Sequence, residues 1–152
     1  MNRQRFDSRR NRGGKLPRNA APVELTISHV GGRGDGVGRA PYKHNHITDE
    51  HSVFVPATLA GEQVVATPVA ISGQGIRAVL HEIITPSPER REPDCGTFPA
   101  CGGCSFQHWR DESVTAWKQD LVTGFLARAG VPCPEITPVS YTHLTLPTSS
   151  RV

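Results

Sequence analysis

The chain has 152 residues, 36% of them hydrophobic and 6% aromatic, which leaves room for one small core, or one core plus an appended element. Lys and Arg outnumber Asp and Glu by 17 to 14, and the excess sits mostly at the start. No run approaches the roughly 18 apolar residues that a membrane span needs, so no membrane partner is expected.

From Met1 to Arg18, Arg3, Arg5, Arg9, Arg10, Arg12, Lys15 and Arg18 face a single acid, Asp7. Such a stretch cannot bury enough apolar surface to fold, and a disordered basic arm over residues 1–21 is expected. Two readings stay open for it: a solvated tail, or an arm that contacts nucleic-acid phosphates through counterion release. The arm has no apolar core of a secretory signal. The cysteines are therefore expected in a reducing, cytoplasmic compartment, where thiols at short spacing more often bind metal or do redox chemistry than pair as disulfides.

Pro22 to Val30 alternates apolar Val23, Leu25 and Ile27 with polar Glu24, Thr26 and Ser28, the pattern of a half-buried strand. The glycine-rich stretch Gly31 to Arg39 predicts a tight turn into a short strand over Val37 to Ala40. No helical pattern follows it, which argues against a dinucleotide-binding loop. Pro41 to His51 carries His44, His46 and His51, and reads as an exposed polar loop rather than a metal site. Strands follow at Ser52 to Pro56, Gln63 to Ile71 and Ile76 to Ile84, separated by turns at Ala60 to Glu62 and Ser72 to Gly75. Pro68 marks the second of these three as an edge or bulged strand. About five short strands between glycine-rich turns imply a mainly β fold, a small five-stranded OB-like barrel over residues 22–92.

Thr85 to Pro93 holds three prolines and reads as a linker. It leads into Cys95, Cys101 and Cys104, spaced C-x5-C-x2-C, where Gly102 and Gly103 let the chain turn tightly enough for two thiolates to face one ion or cluster. The set lacks a fourth ligand, and His108 would complete a Cys3His zinc knuckle. Beyond it, Val114, Trp117, Leu121 and Phe125 recur at helical spacing. They predict an amphipathic helix from near Asp111 to Ala129, with Asp111 as cap and Gly130 as stop. Val139 to Thr148 reads VSYTHL followed by TLPT, which resembles one frame of a transposon-end sequencing adapter. Residues 139–152 are thus expected to be a translation artefact, and residues 131–138 the truncated start of a further domain.

Several of these pieces together resemble a known family. Gly34-Asp-Gly-Val-Gly-Arg39, Val53-Phe-Val-Pro56, Gly61-Glu62 and Pro86-Ser-Pro-Glu-Arg90 are similar to a TRAM domain, an RNA-binding OB-like barrel. Cys95-x5-Cys101-Gly-Gly-Cys104-Ser-Phe-Gln-His108, followed by a helix containing Lys118, resembles the cluster segment of bacterial RNA (uracil-5-)-methyltransferases of the RumA/TrmA type. The resemblance covers about residues 22–130. It implies that Cys95, Cys101 and Cys104 hold a [4Fe-4S] cluster together with a later, fourth cysteine, a part that Cys133 does not match. It also implies S-adenosylmethionine as cofactor of a catalytic domain further on, RNA, above all ribosomal RNA, as partner, and a monomer. No catalytic residue of the family maps onto this chain, which is expected to be inactive alone. Arg33, Arg39 and Arg77 are the barrel's candidate RNA contacts, with solvated surface arginines as the alternative. A radical S-adenosylmethionine methylthiotransferase also carries a TRAM domain, but with the barrel last and a C-x3-C-x2-C motif, so order and spacing both argue against it.

Overall fold

The computed structural model describes residues 20–44, 47–72, 75–133 and 135–139. The basic segment 1–18, His46 and the adapter-like residues 140–152 lie outside the described residues. The chain divides into two compact units, Met1–Arg110 and Asp111–Val152. The cysteine loop therefore belongs to the same unit as the barrel.

The first unit is built from β1 (Val23–Val30), β2 (Gly36–His44), β3 (Ile47–Val55), β4 (Gln63–Ser72) and β5 (Gly75–Thr85). They close into a barrel in the order β1-β2-β3-β5-β4. Neighbours are antiparallel except β3 and β5, which pair in parallel through Val53↔Ile76 and Phe54↔Arg77. That order, with one parallel contact closing a Greek-key meander, is the OB-type arrangement expected from the sequence. Closure removes the free sheet edges. Inside, Leu25, Ile27, Ala40, Val53, Val55, Val64, Ala66, Ile76 and Ala78 form one core. The alternation read along β1 holds: Leu25 and Ile27 are buried, while Glu24, Thr26 and Ser28 are exposed.

The stretch expected to be a polar loop over Pro41 to His51 is instead a long β-hairpin. β2 and β3 pair without interruption from Gly36↔Val55 to His44↔Ile47. A two-stranded ladder satisfies backbone groups whatever the side chains, so this extension needs no apolar alternation and leaves no side-chain signal. Pro68 behaves as read: the β4–β5 register shifts between Pro68 and Ala70, where the missing N–H would break the ladder.

One glycine is fixed by close approach. A Cβ at Gly36 would run into the Thr58 hydroxyl and come within 2.9 Å of the Ile27 side chain. Thr58 is itself buried and donates to the Val55 carbonyl at 2.8 Å, so the β3–β4 turn presses directly on the start of β2.

The second unit is the helix α1 (Asp111–Arg128) and the residues after it. Asp111 and Glu112 sit in its first turn and Arg128 in its last, which suits the helix dipole. Of the apolar series, Val114 is buried and Phe125 is 56% exposed, so the stripe is only partly used. Among the described residues no helix is long and apolar enough to cross a membrane.

Candidate metal centre and nucleic-acid interface

The linker does not hang free. Glu62, in the β3–β4 turn, is fully buried and is the acceptor for four donors. Its Oε2 takes the Leu59 N–H at 2.8 Å and Arg90 Nη2 at 2.9 Å; its Oε1 takes the Ser87 N–H at 3.2 Å and Arg90 Nε. Arg90 Nη2 also donates to the Ala57 carbonyl at 2.8 Å, holding in place a residue whose φ of 59° lies in the left-handed region. Burial pushes the Glu62 carboxyl up. The Arg90 guanidinium, the Leu59 and Ser87 amides and the Arg90 charge together outweigh it and hold the pKa below the usual 4.5.

The same strap carries the cysteine segment back onto the barrel. Arg90 bridges Trp109, the Arg91 amide donates to the His108 carbonyl at 3.0 Å, and the Arg110 amide to the Glu89 carbonyl at 3.1 Å. Arg91 Nε reaches the Gln107 carbonyl at 3.1 Å. Phe106 lies against the hairpin turn between β1 and β2. A Cβ at Gly34 (φ 87°) would sit 2.7 Å from its ring. The loop is thus closed at its base by backbone pairing and pinned by an aromatic ring.

At the tip, Cys95, Cys101, Gly102, Gly103 and Cys104 line one small pocket with Phe98 and Gln107. All three thiols are free and exposed. Cys95 is the most tightly held. Its Sγ and Thr97 Oγ1 are 3.0 Å apart, its amide donates to Gln107 Oε1 at 3.2 Å, and its carbonyl accepts the Phe98 amide at 3.0 Å. The Thr97 hydroxyl and then its backbone N–H draw the Cys95 thiol below its ordinary pKa, slight desolvation opposing and the Phe98 N–H adding to the effect.

His108 stands apart from the thiols. It is 1% exposed, its ring stacks on Phe98 at 5.4 Å with 23° between the planes, and among the described residues neither ring nitrogen has a hydrogen-bond partner. Burial first, then the Arg90 charge, press its pKa from 6.5 down to about 4, with Glu62 partly opposing. Among the described residues, no three His, Cys, Asp or Glu side chains converge as a single-ion site. His108 is not among the residues that line the pocket shared by the three cysteines. Cys95, Cys101 and Cys104 turn three exposed thiols to one pocket, a donor set that suits an iron–sulfur cluster. Cys133 lies in the helical unit, where its Sγ is 3.8 Å from Thr123 Oγ1.

Arg39 and Arg77 border different clefts. Arg33 is exposed in the β1–β2 turn. Arg39, on β2, pairs with Glu50 at 3.7 Å and borders a cleft of about 510 Å³ with Glu24, Thr26, Ser28 and Gln63. Arg77, on β5, borders a separate groove of about 550 Å³ whose walls include Val69, Ala70, Val79 and Pro99. His44 and His51 fall on the β2–β3 hairpin. Sequence reasoning assigned no role to Glu62, Arg90, Thr97 or Gln107. The first two were visible only as parts of the Gly-Glu and Pro-Ser-Pro-Glu-Arg pieces of the family pattern.

No family model matches the chain. It is 37% identical over 116 residues to an uncharacterized RNA methyltransferase of Brucella suis, covering 76% of this chain and 25% of that protein. A protein of the same description from Caulobacter vibrioides is 40% identical over 71% of this chain and 23% of its own length. The 23S rRNA (uracil(1939)-C(5))-methyltransferase of Dichelobacter nodosus is 36% identical over 68% and 23%. The chain thus spans about a quarter of the length of these relatives, and the match lies in their amino-terminal region. A continuous match of 116 in 152 residues cannot avoid the middle of the chain, so it takes in Glu62, Arg90 and the three loop cysteines.

Proposed function

We infer from the chain's homology to the amino-terminal region of RNA methyltransferases that it forms the RNA-engaging, cluster-bearing portion of a uracil-C5 methyltransferase acting on ribosomal RNA. The observation that carries this reading is the thiol loop strapped to an OB-type barrel by the buried Glu62–Arg90 pair, within the matched stretch. The barrel supplies a surface for single-stranded RNA, with Arg33, Arg39, Arg77 and the basic segment 1–18 as its cationic groups. Cys95, Cys101 and Cys104 hold a [4Fe-4S] cluster. When bound, the cluster would tie Cys95, Cys101 and Cys104 of the loop to one another, while the Glu62–Arg90 strap holds the loop to the barrel. Methyl transfer from S-adenosylmethionine is the work of the longer protein, and no residue here is assigned to it.

Two measurements on the same protein test this. Anaerobic incubation with ferrous iron, sulfide and dithiothreitol should give a brown protein with broad visible absorption, abolished when all three loop cysteines are changed to Ser. Filter binding to a single-stranded 23S rRNA fragment should show affinity that falls steeply with salt and weakens when residues 1–18 are removed. A colourless protein that takes up zinc stoichiometrically, or RNA retention that salt does not alter, would overturn the reading.

A further inference from the structure

Thr97 touches two of the three loop cysteines. Its hydroxyl lies 3.0 Å from the Cys95 sulfur, and its carbonyl accepts the Cys101 amide at 3.0 Å. Gln107 holds the Cys95 amide from the other side at 3.2 Å, so the Cys95 sulfur is fixed relative to the hydroxyl before anything binds. Among the described residues the Cys101 and Cys104 sulfurs show no such partner. The three positions are therefore not equivalent.

A thiol can give or take a hydrogen bond, but a sulfur that has surrendered its proton to ligate iron can only accept one. In the loaded protein the Thr97 hydroxyl must then be the donor. Reduction of a cluster adds negative charge that spreads onto the ligand sulfurs, and a donor aimed at one of them stabilises the reduced form.

We propose that Thr97 is a positioning residue for the cluster: its hydroxyl donates to the Cys95 thiolate, orients that ligand and raises the cluster's reduction potential. The proposal rests on the reading that the loop thiolates hold an iron–sulfur cluster. Only the amount by which that bond is stronger in the reduced cluster than in the oxidised one moves the potential, so its loss should shift the one-electron reduction equilibrium several-fold toward the oxidised form.

The test compares the 152-residue chain with Thr97→Val and Thr97→Ser. Valine keeps the branched shape and removes only the hydroxyl; serine keeps the hydroxyl. Each is loaded anaerobically with ferrous iron and sulfide, with dithiothreitol in excess to fill the fourth iron position. Folding is checked by circular dichroism, and the midpoint potential is read by titration followed by electron paramagnetic resonance. The expected result is a lower potential in Thr97→Val and a near-native one in Thr97→Ser. Failure of Thr97→Val alone to load, with folding intact and Thr97→Ser loading normally, also supports the proposal. Equal potentials in all three loaded proteins overturn it while leaving the cluster reading intact. A chromophore absent from all three, the unsubstituted chain included, overturns the cluster reading and this proposal with it.

Discussion

Replacing Arg90 by Met tests whether the buried ion pair holds the strap. Met preserves most of the apolar stem of Arg, so the effect reports the lost guanidinium rather than lost packing. Arg90 supplies three of the hydrogen bonds in the network, two to Glu62 and one to the Ala57 carbonyl. Without it, Glu62 keeps only the Leu59 and Ser87 amides while staying fully buried. Breaking a buried pair by removing one partner costs about 3–5 kcal/mol. That is a large share of the roughly 5–15 kcal/mol that stabilises a typical domain. The pH dependence gives a second readout with a definite sign. In the native chain the Glu62 pKa is held below 4.5, so its contribution is complete above 4.5 and is lost as pH falls through the lower folded value. In the variant only the Leu59 and Ser87 amides oppose burial, and the folded pKa rises above its native value. The destabilisation should then be largest near neutral pH and shrink as the carboxyl protonates. Urea unfolding followed by circular dichroism at pH 7 and at pH 4 measures both. Adding Glu62→Gln to Arg90→Met should recover part of the loss, since no unpaired charge is then buried. A loss below about 1 kcal/mol at pH 7, or one that is the same at pH 4, would refute the reasoning.

Three further outcomes follow from the same unit. His108 is neutral and buried with its pKa at about 4 against 6.5 unfolded. The unfolded chain takes up the proton first as pH falls, so stability should drop by about 3 kcal/mol across that window, and His108→Phe should flatten the profile measured by urea unfolding. Gly34→Ala should cost about 1–3 kcal/mol, because φ is 87° and the new Cβ meets the Phe106 ring at 2.7 Å. Thermal melts of Gly34→Ala with and without Phe106→Ala should show clear non-additivity. For RNA, Arg39→Gln and Arg77→Gln should each weaken filter binding at low salt and reduce the salt slope by about one, uniformly across sequences. A variant with unchanged slope excludes that arginine.

The barrel was legible because its strands are half-buried and alternate. Leu25 and Ile27 point inward between polar neighbours, and Val64, Ala66, Ile76 and Ala78 take the inward positions of β4 and β5. The β2–β3 hairpin was not, because backbone pairing alone carries its outer part and imposes no side-chain period. The cysteine spacing marked the loop, yet spacing cannot say that Thr97 and Gln107 grip Cys95 more firmly than anything grips its two partners. It also invited a ligand role for His108, and spacing alone gives no sign that its ring is buried against Phe98.

The linker is where pattern and physics part most clearly. Pro86, Pro88 and Pro93 read as spacing chain because proline ends ladders and helices, and that local inference is sound. What turns the same residues into a structural strap is a carboxylate 28 residues away, which no local window contains. A fully buried Glu62 is stable only while Arg90 and the Ser87 amide of the strap remain in reach, because its own turn supplies the Leu59 amide alone, so the barrel cannot hold Glu62 comfortably unless the strap is docked. Docking in turn fixes Trp109 and His108 beside Arg90 and closes the base of the thiol loop. The cost of burying one acid thereby couples the barrel to the position of the cysteines, and a chain that folds its barrel presents its loop in the same step.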